Sequence, residues 1–230
     1  MVASAECVSL TYAFDVYCPW CYGFGPTLRA FAGDNAHRIR LSAVPAGLYT
    51  GVRVRPVAAY PDLSAERDRI ARLTGVTFGA GYERALARGT SVLDSTAAAA
   101  GLIALREQPG VSALDAAEAV QRAWFSDGRS LSGVEVFRDI AGELGADADA
   151  VAAAYVSPAA RMQALSGFRA LRRMHVTSYP TLLLHTRYGA DQLGGMASSA
   201  ASLTAALDQR LYASKFQVLT PVPPLQGELP

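Results

Sequence analysis

Two cysteines separated by two residues, Cys18 and Cys21, are the residues of this sequence best suited to chemistry. They stand in the tetrad Cys18-Pro19-Trp20-Cys21, after an alternating apolar segment (residues 10–16) and at the start of a sequence with helical character. Thiols at this spacing can close a disulfide within one helical turn, and the positive end of a helix favours ionisation of a thiol placed there. The tetrad therefore predicts thiol–disulfide redox chemistry.

The two thiols are expected to have different roles. Cys18 stands at the start of the helix, where free backbone N–H groups favour the thiolate, so we expect it to be the exposed nucleophile. Cys21 lies one turn further in, where burial favours the neutral thiol, as suits a residue that resolves a mixed disulfide. We expect Pro19 and Trp20 to contact the substrate, and the indole offers only an uncharged N–H donor.

Paired cysteines at this spacing also begin zinc sites, which require two further ligands. The other candidate ligands are Cys7, His37, His175 and His185, and they include no second close pair. This scarcity favours a redox pair and predicts neither a metal nor another cofactor. We interpret His175 as structural and Cys7 as a small buried hydrophobic residue.

Asp15 stands three residues before the first cysteine, at the end of the alternating segment. A buried carboxyl group has a raised pKa, which would let Asp15 accept or relay the proton of Cys21. Aspartate also forms turns and helps to cap helices. Both interpretations are compatible with the sequence.

The composition argues against several classes of function. The chain has 230 residues, 51% of them hydrophobic, with 21 basic and 20 acidic side chains. This length allows a large core, and the charge balance predicts binding neither to nucleic acid nor to an anionic membrane. There is no apolar run long enough to span a bilayer, and residues 1–6 do not resemble a signal peptide. We therefore expect a cytoplasmic protein with catalytic rather than structural thiols.

The order of elements predicts an α/β fold. Strand, helix and strand patterns occupy residues 10–16, 19–31 and 39–44, and capped helical segments fill the middle of the chain. Strand patterns return at 176–185 and 191–193, followed by a helix over 197–211. We predict a thioredoxin-like domain from residues 1–60 and 175–215, a large inserted α-helical domain at 61–174 and a proline-rich tail at 216–230.

Three segments carry a resemblance to a known family: residues 14–24 (FDVYCPWCYGF), 47–51 (GLYTG) and 178–182 (SYPTL). With them the chain resembles the DsbA-like branch of the thioredoxin superfamily, in particular its cytoplasmic members described as protein-disulfide isomerases. The resemblance implies that Pro180 is cis and packs beside the two cysteines. It also implies that the backbone of Tyr179 pairs with an extended substrate.

The loop after the second strand is the remaining candidate for substrate binding. In a right-handed crossover with parallel strands, this loop emerges at the same edge of the sheet as the cysteines. Leu48 and Tyr49 would then lie at the mouth of the site, with Arg53 and Arg55 beyond them.

The leading prediction is a thiol–disulfide oxidoreductase or protein-disulfide isomerase that acts on client proteins or small thiols, with glutathione as a further candidate reductant or substrate. Kappa-class glutathione transferases and hydroxychromene carboxylate isomerases are similar in arrangement and form the alternative enzyme class, although they carry serine at the position of Cys18. A chaperone or binding module that uses its helices rather than its thiols is the non-catalytic alternative. The oligomeric state is not predicted.

Overall fold

A computed structural model describes residues 7–217. The first half of the chain contains β1 (Val8–Phe14), α1 (Pro19–Asp34), β2 (Ile39–Pro45), β3 (Arg55–Pro56), α2 (Leu63–Thr74), α3 (Ala80–Arg88), β4 (Val92–Leu93), α4 (Ser95–Arg106) and α5 (Ala113–Phe125). The second half contains α6 (Val134–Glu143), α7 (Ala148–Val156), α8 (Pro158–Arg173), β5 (Thr181–Thr186), β6 (Gly189–Gly195) and α9 (Ala200–Gln217).

The central sheet has the strand order β2-β1-β5-β6. β1 runs parallel to β2 and antiparallel to β5, and β5 and β6 form an antiparallel hairpin. Along β1 the alternating residues Leu10, Tyr12 and Phe14 enter the main core, whereas Ala13 packs on the other face with Leu183. This period of two is that of a β-strand, which here begins and ends two residues earlier than the predicted 10–16. The pairing with β2 confirms the predicted parallel neighbour.

The helices between β2 and β5 form a block around α4. This helix is rich in alanine and is buried from Ala97 to Leu105, so neighbouring helices approach it closely. At Gly101 an added Cβ would lie 2.1 Å from the ring of Phe137, which explains why glycine is required there. The sheet with this helical block confirms the predicted fold class of a thioredoxin-like α/β protein with a helical insertion.

Helix starts in the block follow their sequence signals. Asp94, Ser112 and Ser157 cap α4, α5 and α8 through side-chain oxygens that accept backbone N–H groups. Asp147 caps α7 in the same way.

Several boundaries differ from prediction. β5 begins at Thr181 rather than at residue 176, because Pro180 precedes it and has no N–H for a ladder. β6 extends to seven residues, and α9 continues to Gln217.

Cys7 is exposed rather than buried, with its Sγ 3.8 Å from the carbonyl oxygen of His37. The predicted tail beyond Gln217 lies outside the described residues.

Candidate active site

Cys18 is the N-cap residue of α1, with extended backbone angles (φ −78°, ψ 112°), and Pro19 opens the first turn. Its Sγ donates a weak hydrogen bond to the carbonyl oxygen of Tyr179 at 3.8 Å. The residue is only 5% exposed, so the expectation of an exposed nucleophile is corrected. Cys18 is nevertheless the more accessible of the two thiols.

Cys21 is fully buried one turn along α1. Burial raises the pKa of its thiol, and the neighbouring Cys18 adds to this effect, whereas a hydrogen bond with the backbone of Asp15 opposes it. The Tyr12 hydroxyl donates to the Cys21 carbonyl oxygen at 3.3 Å. No disulfide joins the two thiols in the structure.

Pro180 follows a cis peptide bond with Tyr179, as the resemblance implied. It is buried, and Tyr179 is half-buried beside it. The next residue, Thr181, opens β5 and pairs with Ala13 on β1, the strand that leads to the cysteines. This pairing brings the Tyr179 carbonyl to the Cys18 sulfur across 161 positions of sequence.

Asp15 is fully buried at the end of β1. Its Oδ1 accepts the N–H of Tyr17 at 2.9 Å, and its Oδ2 accepts the N–H of Leu48 at 2.8 Å. Burial raises the pKa of the carboxyl group to about 6, and these hydrogen bonds only partly offset that effect. The bond to Tyr17 is the expected turn contact, and the raised pKa suits a proton acceptor near neutral pH.

Ser95 at the start of α4 holds the loop that contacts Asp15. Its Oγ accepts the N–H of Tyr49 at 2.9 Å, and its own N–H donates to the Tyr49 carbonyl oxygen at 2.9 Å. An interaction of the Ser95 hydroxyl with Asp15 also lowers the pKa of that carboxyl group. Ser95 is the first residue of α4, and no local sequence pattern indicates its link to Asp15.

The loop after β2 meets the site through its backbone. The Leu48 side chain is half-buried, whereas the Tyr49 ring is 7% exposed and packs edge-on against Tyr17 and Tyr60. Gly47 allows this loop to approach α8, since an added Cβ would lie 2.7 Å from the Phe168 ring. The structure thus brings Leu48 to the site and places the Tyr49 ring among core aromatics.

Trp20 lies half-buried between the cysteines and contacts α2. Its Nε1–H donates to Glu66 Oε1 at 2.7 Å, and the Arg69 guanidinium carbon lies 5.5 Å from the ring centroid. The single N–H donor of the indole is therefore engaged by Glu66. Pro19 is buried and contributes little surface.

Two arginines add positive charge at the edge of the site. Arg53 and Arg172 are exposed, and neither forms an ion pair within the part of the chain that the structure describes. Burial raises the pKa of the Tyr179 hydroxyl, and the charges of both arginines oppose that rise. Arg53 acts in the same sense on Asp15.

Two further features concern residues 7–217 as a whole. These residues contain no group of three or more His, Cys, Asp or Glu side chains placed to hold a metal ion. None of their helices has both the length and the apolar character needed to cross a bilayer.

The family model of the DSBA-like thioredoxin domain matches residues 10–203, which include both cysteines and Pro180. Comparison with curated proteins finds no similar sequence.

Several solved structures are similar over almost their whole length. A Nitrosomonas europaea protein, provisionally described as a protein disulfide isomerase, superposes with a TM-score of 0.78 at 18% identity, covering 90% of this chain and 99% of its own. The cytosolic disulfide reductase DsbM from Pseudomonas aeruginosa gives 0.70 at 25% identity, covering 93% and 100%, and has also been solved with glutathione. A 2-hydroxychromene-2-carboxylate isomerase gives 0.62 at 16% identity, covering 91% and 98%, which shows a shared fold.

Proposed function

The chain belongs to the DSBA-like thioredoxin domain family of thiol–disulfide oxidoreductases, and on that basis we propose that it is a cytoplasmic disulfide reductase and isomerase. Cys18 is the nucleophile and Cys21 the resolving thiol. The observation that carries this assignment is the juxtaposition of Cys18 Sγ, at the start of α1, with the Tyr179 carbonyl that precedes cis-Pro180. A client disulfide bound along the backbone of Tyr179 would lie next to the Cys18 sulfur.

The first step is attack by the Cys18 thiolate on one sulfur of a client disulfide. A bond forms between these two sulfurs, the client S–S bond breaks, and the other client sulfur leaves as a thiolate that takes up a proton. Cys18 is placed at the start of α1, and the free backbone N–H groups and the dipole of a helix favour negative charge at that end.

The second step requires Cys21 to lose its proton. Burial holds this thiol neutral, so a nearby acceptor is needed, and we assign that role to the Asp15 carboxylate. The Cys21 thiolate then attacks Cys18, forms the intramolecular disulfide and expels the client thiolate, so that two electrons have passed to the client. When the client sulfur rearranges before this attack, the outcome is isomerisation.

Substrate contacts follow from what remains accessible around Cys18. Trp20, Leu48 and Tyr179 are half-buried and offer surface to a client. The backbone of Tyr179 supplies the strand-like edge along which an extended peptide pairs. The buried Pro19 and Pro180 shape this surface, and the Tyr49 ring supports it from the core.

Glutathione is the small thiol that we propose restores the reduced pair, two molecules giving up two electrons as they form glutathione disulfide. The similarity to DsbM, which has been solved with glutathione, supports this choice. A cytosolic poise keeps the pair reduced, which both reduction and isomerisation require.

The proposal is tested by insulin reduction and by refolding of a scrambled disulfide protein, each with glutathione as reductant. We expect activity in both assays and its loss in Cys18→Ser. Full activity of Cys18→Ser would overturn the assignment. A redox titration of the pair against glutathione then separates reductant from oxidant, since each tenfold step in the equilibrium constant is about 30 mV.

A further inference from the structure

Trp20, the residue between the two cysteines, is attached at two points to α2. Its indole N–H donates to Glu66 at 2.7 Å, and Arg69, one turn later, lies over its ring at 5.5 Å. The first of these bonds is charge-assisted and therefore among the stronger kinds of hydrogen bond. One of the two residues between the cysteines is thus bound to a helix outside the sheet.

The two helices leave little room for this attachment to shift. Where α1 crosses α2, an added Cβ at Gly23 would lie 2.8 Å from the Ile70 side chain. Close packing of this kind fixes the distance between the backbones that carry Trp20 and Glu66. The indole is therefore held by a preformed contact.

The contact has two electrostatic consequences for the thiolate. Indole has one donor, and the bond to Glu66 withholds it from the Cys18 sulfur. The Glu66 carboxylate also places negative charge beside the first turn of α1, and its charge is felt as far as Tyr49 and Tyr82, whose pKa values it raises. A donor withheld and a negative charge nearby both act against negative charge at the start of α1.

We propose that Glu66 is a positioning residue that makes the Cys18/Cys21 pair more reducing by holding the indole N–H of Trp20 away from the thiolate. The reduced form of the pair carries the thiolate. Destabilising the thiolate therefore destabilises the reduced form relative to the disulfide, and this favours electron donation. This inference rests on the proposed thiol–disulfide exchange. It adds a determinant of electron-flow direction that lies on α2, 46 positions after Trp20.

A series of variants separates the charge of Glu66 from its hold on Trp20. Glu66→Gln keeps an acceptor for the indole and removes the charge, so the glutathione equilibrium should shift toward the reduced pair by about threefold, the size of one screened charge. Glu66→Ala removes both the acceptor and the charge. We expect it to shift the glutathione equilibrium about tenfold toward the reduced pair, or about 30 mV. Asp68→Asn, which neutralises an exposed carboxylate two residues away on α2, is the matched control and should leave the equilibrium unchanged.

Trp20→Phe closes the test as a double-mutant cycle. Without an indole N–H, Glu66→Ala and Glu66→Gln should produce the same shift, because only charge is left to lose. In two-dimensional NMR of the reduced protein, the indole N–H resonance of Trp20 should move in Glu66→Ala, while that of the buried Trp124 stays in place. Melting temperatures identify any variant that fails to fold. If Glu66→Ala does not fold, the shifts of the glutathione equilibrium in Glu66→Gln and Trp20→Phe test the inference.

Equal potentials in the wild-type protein, Glu66→Gln and Glu66→Ala would overturn this inference, as would an equal shift in Asp68→Asn. A wild-type protein that forms no reversible Cys18–Cys21 disulfide would instead overturn the proposed function. The two failures are therefore distinguishable in one titration.

Discussion

The two sides of the cysteine pair differ in how their polar groups are held. Behind Cys21, Asp15 and Ser95 are fully or almost fully buried, and their oxygens accept backbone N–H groups from the loop after β2. In front of Cys18, Trp20 and Tyr179 are half-buried and border on solvent. The inner side is thus a closed hydrogen-bonded network, and the outer side is an open rim.

This difference indicates a division of work. A closed network with a low dielectric shifts proton affinities strongly, as the raised pKa of Asp15 shows. At an open rim solvent screens the charges, so arginines such as Arg53 act weakly, and their effect decreases as the salt concentration rises. We therefore expect substitutions behind Cys21 to change proton transfer and stability, and substitutions at the rim to change client preference.

The largest effect should come from Cys21 itself. Cys21→Ser keeps the first step and removes the second, so insulin turnover should fall to the uncatalysed rate while a mixed disulfide with Cys18 accumulates. Non-reducing electrophoresis and intact mass spectrometry detect this adduct. Cys7→Ser, at an exposed thiol away from the pair, is the control and should behave as wild type.

Asp15→Asn should slow resolution of the mixed disulfide by on the order of 100-fold, the usual effect of losing a positioned base. In the wild-type protein the rate should rise with pH through about 6, as the carboxyl group becomes the carboxylate. Stopped-flow measurements from acidic to neutral pH check both points, with the exposed Asp34→Asn as control. If the resolution rate of Asp15→Asn still rises near pH 6, a group other than Asp15 accepts the proton of Cys21.

The same residue should give stability a specific pH dependence. Its pKa is about 6 in the folded protein against an ordinary 3.8, so the folded state binds more protons between these values and loses stability as pH rises. Between about pH 4.5 and 7.5 the loss should be about 2 kcal/mol, estimated from the shift in pKa. Urea denaturation at both ends of this range should show the loss in the wild-type protein and not in Asp15→Asn.

Ser95→Ala should have a smaller effect on the same network. It leaves the buried N–H of Tyr49 without its acceptor and removes the hydroxyl from Asp15, at a cost of about 1 kcal/mol in the free energy of unfolding. The pH of half-maximal resolution should also rise, because the carboxylate loses a donor. Thr96→Ala, at the next and half-buried position, serves as control, and an unchanged pH profile would separate Ser95 from Asp15.

The rim should yield the smallest effect. Arg53→Gln removes an exposed charge near Tyr179, so the KM for clients with acidic residues beside the disulfide should rise less than about threefold. The difference should vanish at high salt. Arg55→Gln provides the comparison, and an effect on kcat that persists in salt would mean that the rim takes part in proton transfer.

Sequence predicts the parts of the site that depend on local pattern. The alternation of β1 and the proline after Cys18 place the nucleophile at a strand-to-helix junction, and the parallel crossover brings Leu48 to the same edge. The family resemblance predicts cis-Pro180. These features rest on spacing and topology within short segments.

What sequence does not predict are contacts supplied by the helical block. Glu66 and Ser95 lie in ordinary amphipathic and capped helices, and nothing near them in sequence distinguishes them from solvated or capping residues. The Tyr49 ring is predicted at the mouth of the site but packs in the core. Edge-on contacts with neighbouring aromatic rings stabilise it there. Burial depends on the assembled fold rather than on one segment.

The bond between Trp20 and Glu66 has a consequence for transplanting this site into another protein. A chimaera that receives Cys18-Pro19-Trp20-Cys21 alone obtains the indole without its acceptor or the α1–α2 contact at Gly23. Engineering that exchanges only the two residues between the cysteines would therefore transfer their chemical identity but not their orientation. A transplant that keeps the orientation of Trp20 must therefore include α2 as well as the tetrad.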